Sequence, residues 1–197
     1  MAKADPFRQV IDQAVEMGKD TKSAAGKRWL QRQIKKLVKT PQQILRLRKR
    51  MASSVQPGQM YLFRYNPQGK KTLSYYDIYP LVFPLKASKG GFIGLNLHYL
   101  SPKLRGIFLA KLLRKVSNDK FDETTRLRIS YNMLKGSATY KEFKPCIKLY
   151  LMGQVQSRFL KIDSSEWEMA AVLPLDAFQK KSSGTVWSRS VSIIQGD

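Results

Sequence analysis

At Ser53-Ser54 the hydrophobic residues change period, and no all-helical or all-strand fold accommodates both sides of that point. Upstream the spacing is helical. Asp5-Pro6 reads as a helix start, because Asp accepts from free N–H groups and Pro suits the first turn. Phe7, Val10, Ile11 and Ala14 follow at i, i+3, i+4 and i+7, and Gly18 closes the run. A second helix is predicted over 22–39 on the seam Trp29, Leu30, Ile34, Leu37 and Val38. Thr40-Pro41 restarts a third, with Ile44, Leu47 and Met51 on one side.

Downstream the pattern turns to strands. Pro57-Gly58 precedes the β-rich run Met60–Tyr65, which ends at the turn signal Asn66-Pro67-Gln68-Gly69. Leu81-Val82-Phe83 reads as a second strand, placed at an edge or bend by Pro80 and Pro84. Gly90-Gly91 turns into a third over Phe92–Leu100. Helices are then predicted from Ser101-Pro102 on Leu104, Phe108, Leu112 and Val116, from Asp122 to Lys135, and from Pro145 through Val155. Arg158–Ile162 reads as a returning strand, and Ser165–Glu168 carries a capping-box pattern before a short helix. The expected class is α+β: a small twisted antiparallel sheet or half-barrel with flanking helices. The expected organisation is a basic helical appendage over 1–54, a core domain over 55–178 and a Ser-rich flexible tail over 179–197.

Composition narrows the function. At 43% hydrophobic, 197 residues can bury a core. One Cys and one His leave no disulfide framework within the chain and no Cys/His zinc site. No apolar run approaches the roughly 18 residues of a membrane span, and MAKADPFRQV reads as neither a signal nor a transit peptide. A soluble, unexported protein is expected. Its 36 Lys and Arg against 14 Asp and Glu leave a net charge of +22, with net +10 in both 1–56 and 103–162 and net −2 after 162. Charge gathered in two blocks points to polyanion-binding surfaces rather than to solubility alone.

Lys19 to Arg50 hold 12 basic residues and a single acid, Asp20. A solvated helix face ordinarily mixes Glu with Lys, and this stretch does not. Cations in such a row neutralise phosphates and release condensed counterions. The candidate DNA contacts are Lys27, Arg28, Arg32, Lys35, Lys36, Lys39, Arg46, Arg48, Lys49 and Arg50, with a second set at Lys103, Arg105, Lys111, Arg114 and Lys115. The tyrosines Tyr61, Tyr65, Tyr75, Tyr76, Tyr79 and Tyr99, with Phe63, offer a base-stacking platform, but alternating strand aromatics more often pack a core. His98 on a strand reads as a structural residue, and Cys146 as a small core residue. Asp122 with Glu142-Phe143-Lys144 loosely resembles a nuclease carboxylate pattern, although Asp122 serves better as a helix cap. Gly26-Lys27-Arg28 lacks the spacing and the hydroxyl of a phosphate-binding loop.

PGQMYLFRYNPQGKKTLSYYDIYPLVFPL and GGFIGLNLHYLSPKLRGIFLAKLL, with FKPCIKLYLMGQVQSRFLKID and SEWEMAAVLPLDAF, resemble virion proteins of T-even-type tailed bacteriophages. The nearest group is the DNA end protectors that act at head completion, and the resemblance spans about 57–178. It implies a late, non-enzymatic virion component that binds double-stranded DNA at the packaged genome's terminus and protects it from host exonuclease. Other virion proteins are the expected protein partners, and the host cytoplasm the site of action during assembly and after injection. No catalytic residue, cofactor, metal, membrane or small-molecule substrate is implied. Two readings stand beside it: an adaptor at the head–tail junction or baseplate facing acidic proteins, and a metal-dependent nuclease.

Overall fold

The computed structural model describes residues 6–20, 23–37, 50–116, 122–137, 141–167, 170 and 175–196. Its centre is a six-stranded antiparallel sheet in the order β1-β7-β2-β4-β5-β6. These strands are β1 (Met51–Ala52), β2 (Met60–Leu62), β4 (Leu81–Ser88), β5 (Gly91–Asn96), β6 (Ile147–Leu151) and β7 (Phe159–Ile162). Because β1 and β6 are its edges, the sheet is open and closes no barrel. A two-stranded sheet pairs β3 (Tyr76–Asp77) with β8 (Phe178–Gln179).

Period-2 geometry sends neighbouring side chains to opposite faces, and here both faces are covered. Met60, Leu62, Leu81, Phe83, Leu160 and Ile162 join one cluster, while Tyr61, Phe63, Val82 and Phe159 join the other. That is why these strands read as unbroken apolar runs. The second cluster is aromatic: Phe63 meets Phe159, Tyr150 and Phe92 edge-on, with ring centroids 5.0, 5.3 and 6.1 Å apart. Tyr61, Phe63 and Tyr65 are therefore core residues, as their alternation suggested, and not a stacking platform.

Helices cover the first cluster. They are α1 (Pro6–Glu16), α2 (Ala24–Leu37), α3 (Pro102–Val116), α4 (Glu123–Ser137) and α5 (Ser183–Gln195). Gly18 ends α1 at φ +60°, a backbone conformation that side chains with a Cβ rarely adopt. Val10 and Ala14 of α1 belong to the main core, and Met51 of β1 pairs with Leu160. The expected boundary at residue 54 thus assigns part of the core and an edge strand to the appendage. The helix expected from Thr40 falls mostly on residues 40–49, outside the described residues.

Two expectations are corrected. The helix predicted from Pro145 is a 3₁₀ turn over Lys141–Cys146 followed by strand β6. The exposed side of β5 supplies a ladder for 147–151, and such pairing overrides local preference. A Cβ on Gly91 would collide with the Tyr150 carbonyl oxygen, so glycine permits this approach. The tail is also ordered. Ser182 caps α5 by accepting from the Thr185 N–H, Val186 and Ser190 are buried, and Trp187 Nε1 donates to the His98 carbonyl at 2.9 Å. Trp187, Val191 and Ile194 recur at i, i+4 and i+7, a helical signal that the serines obscure.

Candidate nucleic-acid interface

Helix α2, AAGKRWLQRQIKKL, contains no acid. Arg28, Arg32 and Lys36 lie four residues apart and are exposed, forming one row with steps of about 6 Å along the helix. Trp29 packs against the main core, and Lys19 Nζ sits 5.6 Å from the centre of its ring. Trp29 thus docks the helix while Arg28, Arg32 and Lys36 turn outward. Lys27 and Lys35 belong to the same helix. Lys39, Arg46, Arg48 and Lys49 lie outside the described residues.

The last residue of that set, Arg50, departs from expectation. It pairs with Glu166 and lies 3.8 Å from Asp163, tying β1 to the turn after β7. Glu166 is 4% exposed and also completes a capping box with Asp163. Two carboxylates already neutralise Arg50 within the protein.

Helix α3 separates its cations in the same way. Lys103, Lys111, Arg114 and Lys115 are exposed, off the buried stripe Arg105, Leu109 and Leu112. Arg105 is 0% exposed and is corrected from a DNA contact to a structural residue. Its Nε donates to the Leu100 carbonyl at 2.7 Å and its Nη2 to the His98 carbonyl at 3.0 Å, while Nη1 lies 3.5 Å from Asp176 Oδ1. Burial pulls its pKa down, and Asp176 and Asp77 oppose that shift.

His98 is structural too. Its Nδ1 lies 2.7 Å from Asp77 Oδ2, and both residues are buried. Asp77 further accepts from Asn96 Nδ2 and the Tyr79 N–H. Burial would raise the Asp77 carboxyl, but the neighbouring His98 and these hydrogen bonds outweigh it and hold the pKa below its ordinary value. Cys146 is buried, and burial pushes its thiol up to about 12, which suits a core residue rather than a nucleophile. Asp122 accepts from the Thr125 N–H at 2.6 Å, a cap bond that lowers its pKa. Among the described residues no three His, Cys, Asp or Glu side chains gather as metal ligands.

The fold also brings together residues that sequence spacing keeps apart. Tyr75, Tyr76, Lys148 and Arg189 meet around a cleft of about 430 Å³. More than a hundred residues separate Tyr75 from Arg189, and β6 was expected to be a helix, so no sequence pattern announced this grouping.

An open antiparallel sheet, helices docked by their apolar seams and rows of outward cations define a basic α+β protein. The chain belongs to the family of the phage T4 terminal DNA protecting protein, whose model matches residues 2–191. The match extends beyond the resembling segments to include the basic N-terminal helices and most of α5. Membership makes this a phage protein of a DNA-end-protecting family. No curated protein and no solved structure matches the chain. Among the described residues no helix is long and apolar enough to cross a membrane.

Proposed function

We propose that this protein binds double-stranded DNA at the packaged phage genome's terminus and keeps exonucleases off it without catalysis. The observation that carries the reading is the acid-free row Arg28, Arg32 and Lys36 on a core-docked helix, in a chain of this family. Phosphate contacts of this kind supply affinity and orientation independent of base sequence. Lys103, Lys111, Arg114 and Lys115 of α3 form a second positive surface. Lys27, Lys35, Lys39, Arg46, Arg48 and Lys49 remain candidate phosphate contacts on their sequence alone. The protein acts in the virion beside other virion proteins, and in the host cytoplasm during assembly and after injection.

The test is protection of linear duplex DNA from a processive exonuclease. Protection should saturate at a fixed number of protein molecules per DNA end, however long the duplex. Digestion at the unprotected rate would contradict the reading. Mg²⁺-dependent cleavage by the protein itself, lost in Glu142→Gln, would replace it with the nuclease reading.

A further inference from the structure

The cleft beside β3 has its own chemistry. Tyr75 precedes β3 and Tyr76 opens it, Lys148 and Leu149 come from edge strand β6, and Arg189 and Ile193 from one side of α5. Lys148 Nζ lies 4.2 Å from the Tyr99 ring centre, and the Arg189 guanidinium carbon 5.7 Å from that of Tyr75. The two rings are 6.0 Å apart and tilted by 39°, so each of these packed phenols carries one cation. Leu149, Leu73 and Ile193 keep exposed apolar side chains around the opening.

Neither Lys148 nor Arg189 is in an ion pair among the described residues, although Lys148 is half-buried. Withdrawing an ammonium from water without a carboxylate is unfavourable, and an arriving anion would relieve the cost. The carboxylate in the lining, Asp77, is turned to His98, Asn96 and the Tyr79 N–H. Apolar and aromatic walls edged by uncommitted cations suit a base joined to a phosphate. About 430 Å³ fits a small ligand and excludes a duplex.

We propose that this cleft takes the terminal nucleotide of a DNA end once it frays from its partner, with its base against the tyrosine and apolar walls and its phosphate on Lys148 and Arg189. The inference rests on the end-binding reading above and deepens it. Backbone contacts alone cannot distinguish an end from the duplex interior. A pocket for one unpaired nucleotide can, because unstacking is cheapest where the base is already loosely held.

The experiment uses the full chain and a duplex closed by a hairpin at one end and open at the other. With 5-iodouracil as the terminal nucleotide of the open end, irradiation should crosslink Tyr75 or Tyr76, and the same base placed internally should not. Lys148→Met keeps the buried stem and removes the charge, and Arg189→Gln alters an exposed side chain. Each removes one charged contact to the terminal phosphate and should reduce the preference for the open-ended over a doubly hairpin-closed duplex by about tenfold, with thermal unfolding and binding to closed circular DNA unchanged. Terminal crosslinks confined to α2, or an undiminished preference in the double variant, would overturn the cleft assignment and leave end binding standing. If the unaltered protein showed no preference for open ends, end binding would fall and the cleft assignment with it.

Discussion

Helices α2 and α3 draw on the same basic residues for different ends. In α2, Arg28, Arg32 and Lys36 form an exposed row, and Trp29 packs the helix against the core. In α3, Arg105 stands in the seam itself, four residues before Leu109 and seven before Leu112, and serves two backbone carbonyls and Asp176. A count of cations treats the helices as equivalent. Position relative to the seam separates a side chain that can meet a phosphate from one that holds the molecule together.

Arg105→Met should have the largest effect. Removing the guanidinium leaves Asp176 and the Leu100 carbonyl without this donor and the His98 carbonyl with Trp187 alone, which should cost about 3 kcal/mol in denaturant unfolding. Arg105→Lys should restore little of this, because one ammonium cannot reproduce the fork. The triple change Arg28→Gln, Arg32→Gln, Lys36→Gln should leave the unfolding midpoint in place. It should instead flatten the dependence of log affinity on log salt by about 3, close to one per lost phosphate contact. A triple variant that unfolds early would erase the distinction between the helices.

Smaller effects test how the C-terminal helix and the buried acid support that scaffold. Trp187→Phe keeps the packing but loses the bond to the His98 carbonyl, and should cost about 1 kcal/mol. Asp77 titrates lower in the folded protein than its ordinary 3.8. Its contribution is therefore complete above that value and fades as pH falls through the folded pKa below it. Unfolding midpoints at pH 7 and pH 3 should thus fall more steeply for the unaltered protein than for Asp77→Asn.

Much of the fold was legible because local signals agreed with the tertiary arrangement. Pro6 opens α1, Met60–Leu62 and Phe159–Ile162 are neighbouring strands, and Ser101-Pro102 leads into α3. The phase of α3 was less legible. A seam through Leu104, Phe108 and Leu112 leaves Arg105 out, yet Leu104 is 39% exposed and Arg105 is fully buried. The deciding acceptors are the carbonyls of His98 and Leu100 and the distant Asp176, which periodicity does not see. Strand β6 was hidden for a similar reason, since its partner β5 lies about fifty residues upstream. The exposed row on α2 could be read because consecutive turns of one helix place it, whereas Tyr75, Lys148 and Arg189 meet only through the assembled fold.

Recognition of a DNA end by this basic protein is tested most directly by titrating one duplex in linear and covalently closed circular form across a salt series. Binding to the linear form should be tighter at every salt concentration, with both affinities falling steeply as salt rises. Equal binding to the two forms would contradict it.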